Sequence, residues 1–157
     1  MKKSPIISSG VILGTGLGGL IDGILLHQIF QVHSMFSAKL PLNTLVNVKV
    51  NMFWDGIFSW LCWVICLIGV ITLFRTARNQ KNLWSGKVLT GAMLLGWGLF
   101  NFVEGLLDHH LLGIHHVVER LGISLFDYIF LGSGIFLIMV GSALMKSYKR
   151  VTSDVTL

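Results

Sequence analysis

Residues 14–34, GTGLGGLIDGILLHQIFQVHS, and residues 96–116, GWGLFNFVEGLLDHHLLGIHH, read as one segment written twice, 82 positions apart. In that register Gly14 falls on Gly96, Gly16 on Gly98 and Gly23 on Gly105. Asp22 falls on Glu104, His27 on His109 and His33 on His115. Apolar helices match each other's glycines and leucines easily; an acid, a glycine and two histidines at one shared spacing are much harder to produce by chance. A second match sets FWDGIF (53–58) on LFDYIF (125–130), offset by 72, and pairs Asp55 with Asp127. The ten-residue difference between the offsets predicts a longer outer loop in the first half. The chain therefore reads as a helical hairpin repeated, repeat one over 11–74 and repeat two over 88–146, in one membrane domain over 1–157.

Composition places this hairpin in a bilayer. Of 157 residues, 54% are hydrophobic and 12% charged, with a mean hydropathy of +0.77. An ordinary soluble domain carries about a quarter charged residues. About 20 apolar residues cross the hydrocarbon core as a helix, and four runs qualify: 11–33, 53–74, 88–112 and 123–146. A soluble helical protein with four such runs would have too little polar surface left. The expected fold is all-α and integral to the membrane, with the lipid bilayer as its first partner.

Lys and Arg give the direction. Lys2, Lys3, Arg75, Arg78, Lys81, Lys87, Lys146, Lys149 and Arg150 fall on one side, and Lys39, Lys49 and Arg120 on the other. Positive charge collects on cytoplasmic loops, so both termini are expected inside, with Trp84 and Tyr148 near the inner boundary and Trp54 near the outer one. The basic start MKKSPIISSGVILGTG has the look of a signal peptide, but its segment recurs mid-chain, which argues against cleavage. The net charge of +5 is spread between apolar runs rather than gathered beside aromatics, so nucleic-acid binding is not expected. Cys62 and Cys66 both lie inside one apolar run and offer no disulfide framework.

Two spans per repeat give both copies the same orientation. The pseudo-twofold axis should then run along the membrane normal, with helices one and three diagonal in a four-helix bundle. Gly10, Gly14, Gly18, Gly19, Gly23, Gly134 and Gly141 supply small faces for close helix approach. Such faces would also suit a homodimer.

The polar residues gather at one end. All six histidines and five of the seven acids lie toward the extracytoplasmic side; only Glu119, in a loop, and Asp154, in the tail, stand apart. If the third helix continues past Gly113, Asn101, Glu104, Asp108 and His115 share a stripe, as do Asp22 and His33 in the first helix. His109 and His116 form a second stripe. Asp55, Ser59, Cys62 and Cys66 line one face of helix two. Charged groups facing lipid cost several kcal/mol, so these faces should turn inward.

Histidine with carboxylate is the donor set of iron, copper or zinc, and four-helix bundles build such sites from inward-facing side chains. Neither the Glu-x-x-His spacing of ferritin-like proteins nor His-Glu-x-x-His is present. The expected ligands are Asp22, His27, His33, Asp55, Glu104, His109, His115 and Asp127, either as two separate sites or as one dinuclear centre on the axis. Haem held by His27 and His109 is a third arrangement. Asn101, Asp108, His110 and His116 have weaker repeat support and are expected in supporting positions; Gln28, Ser34 and Leu26 stand opposite His110, His116 and Asp108. Cys62 and Cys66 read as small packing residues before soft-metal ligands. The competing function is a proton- or metal-ion relay through the same residues, but the cytoplasmic half holds only cysteines and small residues to continue it.

DGILLHQIFQVH, NMFWDGIF and LLGWGLFNFVEGLLDHHLLGIHH resemble the bacterial and archaeal membrane proteins grouped as domain of unknown function 2243. The resemblance covers nearly the whole chain. It implies a multi-pass protein of the prokaryotic cytoplasmic membrane with no assigned activity. It also implies a histidine in many relatives where this chain has Ser59, which counts against a ligand set needing a helix-two histidine. A loose association with respiratory-oxidase assembly genes points to assembly partners and to outward-facing copper or haem.

Overall fold

The computed structural model describes residues 5–79 and 85–154, with side chains at 5–78 and 85–146. Lys2, Lys3, Lys81 and Trp84 lie outside the described residues, as do the side chains of Tyr148, Lys149, Arg150 and Asp154. Among the described residues are four long α-helices: α1 (Pro5–Asp22), α2 (Leu45–Asn79), α3 (Gly86–Glu104) and α4 (Leu125–Asp154). Each of α1 and α3 runs on into a seven-residue π-helical segment, Gly23–Ile29 and Gly105–Leu111. All four runs are long and apolar enough to cross a membrane, and the described residues contain no strand.

Local chemistry sets the ends. Pro5 opens α1, where its missing N–H is one of the unpaired donors of any helix start. Thr44 Oγ1 accepts from Asn47 N at 3.2 Å at the start of α2, and Ser85 caps α3 through Val88 N. At α4, Ser124 N and Oγ both donate to Asp127 Oδ2, at 2.9 and 3.0 Å. The first and third spans stop at Ile29 and Leu111, short of the expected 33 and 112. Nor is the first outer connection simply a longer loop: α2 begins ten residues before Asp55, whereas α4 begins two before Asp127. Eight of the ten extra residues therefore lengthen α2 and only two lengthen the loop.

The helices pack in the order α2, α1, α3, α4, with α1 and α3 in direct contact and α2 and α4 on the flanks. The diagonal placement of α1 and α3 in a closed bundle is thus corrected. Glycine is the reason the middle pair meets. A Cβ on Gly14 would fall on the Met93 backbone, and one on Gly96 on Val11 O. The flanking contacts use the same device: Gly16 and Gly19 receive Cys66 and Cys62, while Gly98 meets Gly134 and Gly91 meets Gly141. These glycine faces are occupied within the chain. The outer surfaces of α2 and α4 expose Trp60, Trp63, Leu67, Phe136 and Met139, a surface matched to lipid.

Candidate metal centre

The two π segments place the first candidate ligands. In a π turn the hydrogen bond runs from i to i+5, so residues five apart come to lie above one another. Asp22 and His27 are five apart, as are Glu104 and His109. His27 Nε2 lies 3.2 Å from Asp22 Oδ2, though not aligned for a hydrogen bond. The segments end alike: Phe30 N donates to Leu25 O at 2.8 Å and Leu112 N to Leu107 O at 2.7 Å. Val32 N then donates to Leu26 O, and Ile114 N to Asp108 O, both at 3.0 Å. Each of these bonds has its counterpart 82 residues on.

Beyond the π segments the chain turns through left-handed residues, Gln31 (φ 50°) and Gly113 (φ 53°). The stripes extrapolated past Gly113 therefore do not exist: His33, His115 and His116 arrive on loops. The loops cross. His33 Nδ1 donates to Val117 O at 3.0 Å, and His115 Nδ1 donates to Met35 O at 3.1 Å. Met35 and Val117 are themselves equivalent positions, and their N–H groups donate to Asp55 Oδ1 (2.7 Å) and Asp127 Oδ1 (3.0 Å).

Four histidines meet as a result. The His33 and His115 rings stack at 4.7 Å between centroids. His27 lies 4.4 Å from His33, and His109 lies 4.9 Å from His115. All four are at most 4% exposed. On His27 the Nδ1 atom faces Asp55 Oδ1 at 2.8 Å, and on His109 it faces Asp127 Oδ1 at 3.4 Å. A carbonyl only accepts, so Nδ1 of His33 and His115 carries the proton and Nε2 keeps its lone pair. Burial holds both of these loop imidazoles neutral: the His33 pKa is pushed down to about 3, and that of His115 is lowered.

The inward-facing ring nitrogens meet carboxylates without forming hydrogen bonds: His27 Nε2 lies 3.2 Å from Asp22 Oδ2 and His115 Nε2 3.7 Å from Glu104 Oε1. Nε2 of His27, His33, His109 and His115, with Asp22 Oδ2 and Glu104 Oε2, are buried without a hydrogen-bond partner. An unpaired buried polar group costs roughly 1–3 kcal/mol. Six in one place is a donor set. Three overlapping combinations bring their ligand atoms within 4.8 Å of one another: His27, His33 and His115; Glu104, His109 and His115; Asp22, His27 and Glu104. Each of these groupings could hold an ion, and they share members, so the six residues lie in one cluster.

The other expected residues take different places. Asp55 and Asp127 stand behind the histidines, their oxygens used by Nδ1 atoms, backbone N–H groups and Ser124. His116 Nδ1 is 3.6 Å from Asp127 Oδ1, while His110 bonds Gly105 O at 2.7 Å and packs on Tyr128. Asn101 turns to Ser133 Oγ on α4 at 3.0 Å, and Asp108 is half-buried beside Glu104. On α2, Asp55, Ser59, Cys62 and Cys66 do share the face that meets α1, and the buried Ser59 Oγ has no hydrogen-bond partner. Glu119, read as standing apart, clasps the loops: its Oε2 accepts from Ser37 Oγ at 2.8 Å and His116 N at 3.2 Å. Asn51 was missed. Fully buried, it accepts from Phe36 N and donates to Leu40 O, tying the first loop to the extension of α2. Its burial follows from that extension, which no spacing in the sequence marks.

Residues 9–148 match a family model described as predicted membrane protein, DUF2243. The chain belongs to this family. No curated protein and no solved structure matches it. The DUF2243 resemblance read from the third-helix motif is borne out. The family description carries no activity, so the histidine–carboxylate centre of this DUF2243 chain is interpreted from its own geometry.

Proposed function

We propose that the four histidines, with Asp22 and Glu104, hold one transition-metal ion or two adjacent ones, for redox chemistry or metal handling at the extracytoplasmic side of a prokaryotic membrane. One observation carries this reading: the Nδ1 of each histidine faces a carbonyl or carboxylate oxygen, while the Nε2 atoms are buried without hydrogen-bond partners beside Asp22 and Glu104. Metal-bound histidines are oriented in this way by an oxygen on the far ring nitrogen. Imidazole with carboxylate suits iron, copper or zinc. Haem between His27 and His109 fits less well, because the stacked His33 and His115 rings pack against both.

The hairpin repeat explains why equivalent residues from both halves supply the ligands. Its matched hydrogen bonds support that duplication. The outward placement rests on the end of the molecule that bears Arg75, Arg78, Lys87 and Lys146 being the opposite one. An approach exists at the loop end: a cleft of about 400 Å³, bordered by Gln28, Gln31, Ser34, Val48 and Met52, reaches His27 and Asp55. Gln31 holds a left-handed backbone there, where the second half has Gly113. That conformation costs a non-glycine residue on the order of 1 kcal/mol. Beneath the centre, the glycine contacts of α1 with α3 bring the backbones together, which supports a resident centre over a relay crossing the membrane.

Elemental analysis with an absorption spectrum, on detergent-purified protein lacking a histidine tag, tests the reading. Stoichiometric iron, copper or zinc is the expected result. Protein that is metal-free and takes up none on addition overturns it.

A further inference from the structure

Two clefts lie on the flanks of the α1–α3 pair, and the 82-residue register maps one onto the other. The first encloses about 130 Å³ and has Asp22 among its lining, with Trp97 and Phe130. The second encloses about 300 Å³ and has Glu104 in the equivalent place, with Thr15 and Phe58 where the first has Trp97 and Phe130. Paired differences separate them. In the first, the Trp97 indole packs onto Gly18, where a Cβ would come within 2.6 Å of it. In the second the same pair is Thr15 and Phe100, and the Thr15 hydroxyl is drawn off to Gly96 O at 3.1 Å. Leu26 borders the first cleft; Asp108 takes its place in the second.

The larger cleft therefore combines three features. Glu104 is 7% exposed and its Oε2 is unpartnered. Phe58 and Phe100 set two aromatic rings 6.1 Å apart along its wall. Leu99 and Val103 on α3 and Leu107 on the π segment that follows are exposed within the membrane span, so the mouth faces the bilayer. A ligand reaching it must be lipid-soluble, and a polar hydrogen on it would meet the buried carboxyl oxygens of Glu104 and the half-buried Asp108. A charged amine would have to cross hydrocarbon at a cost of several kcal/mol, whereas a neutral hydroxyl carries its hydrogen without that cost. The volume is at the lower end of small-ligand pockets and suits one substituted ring.

We propose that this lateral cleft binds the ring of a lipid-soluble phenol or hydroquinone, its hydroxyl donating to the carboxyl oxygens of Glu104 and Asp108 and its tail lying in the bilayer. The proposal names a ligand class for the flank of the metal centre and rests on that reading for its significance, since Glu104 belongs to two of the ion-holding groups. Binding itself is separable from metal content.

The test uses the full chain in lipid nanodiscs, with metal content determined first and empty discs as the partition control. A hydroquinone with a ten-carbon tail, titrated without oxygen, is expected to bind saturably at one per chain. The matching quinone lacks the donor and decanol lacks the ring; each should bind about tenfold more weakly, or about 1.4 kcal/mol. Thr15→Trp with Phe100→Gly rebuilds the closed twin and should lower affinity about tenfold while metal content stays unchanged. Asp108→Leu, copying Leu26, should lower it severalfold and serves if the double variant does not fold. Uptake no greater than that of empty discs, equal binding of the quinone or the alcohol, or undiminished binding by a folded closed-cleft variant would overturn the proposal. Metal-free protein that still binds the ring would sink the metal reading and leave the ring site standing.

Discussion

His109 tests the centre most directly, because its ring is almost wholly buried and neither nitrogen has a hydrogen-bond partner. His109→Ala is expected to remove most bound metal while expression and membrane insertion persist; full stoichiometry in the variant would count against the ligand set. Asp55 acts at one remove, through Nδ1 of His27. Asp55→Asn should weaken metal binding about 10- to 100-fold, the usual effect of losing such a partner, read by chelator competition. At this scale the sequence was a good guide to residue type and a poor one to role. The repeat singled out Asp22, His27, His33 and their counterparts, and each of the six reaches the centre. It could not separate ligands from supports, because Asp55 and Asp127 repeat just as faithfully. The acceptors for His33 and His115 are backbone carbonyls, to which no side chain in the sequence points.

The helical spans were legible from their apolar lengths, and the π segments within them were not. A stripe drawn at α-helical angles separates Asp22 from His27, five residues on, whereas the i→i+5 register brings their atoms to 3.2 Å. Inserting an alanine after Ile24 should put His27 six residues beyond Asp22, where neither π nor α register stacks the pair, and swing its ring away. The expected outcome is loss of metal with an unchanged far-ultraviolet circular dichroism spectrum; retained metal would show that the π register is dispensable. The α1–α3 contact yields a second prediction. Gly14→Leu places a side chain where the Met93 backbone already lies, and overpacking costs typically 1–3 kcal/mol. More is expected here, since backbone cannot move aside, and a lower midpoint of thermal unfolding in detergent would register it.

At the scale of the whole molecule, the charge pattern proposes a direction for the chain and says nothing of its packing order. Lys and Arg counts are blind to which helices touch, whereas glycine contacts determine it, and those depend on facing residues in other helices. The direction itself is open to measurement. Asn43, exposed in the first outer loop, is expected to react as Asn43→Cys with a membrane-impermeant thiol reagent applied to intact cells. Protection until the cells are opened would reverse the topology. The native cysteines do not interfere, as Cys62 is buried against Gly19 and Cys66 lies against Gly16, both within the span.

The crossed bonds of His33 to Val117 O and His115 to Met35 O make the centre a joint possession of the two hairpins. A hairpin made alone has half the candidate ligands, and its loop histidine has lost the carbonyl that aims it. An ion bound there acts as a rivet across the seam: whatever it contributes on binding is added to the docking of one hairpin on the other, by RT ln(1 + [L]/Kd). Two fragments divided in the 80–84 connection and produced together should therefore remain associated through purification when metal is supplied. A chelator should drive them apart.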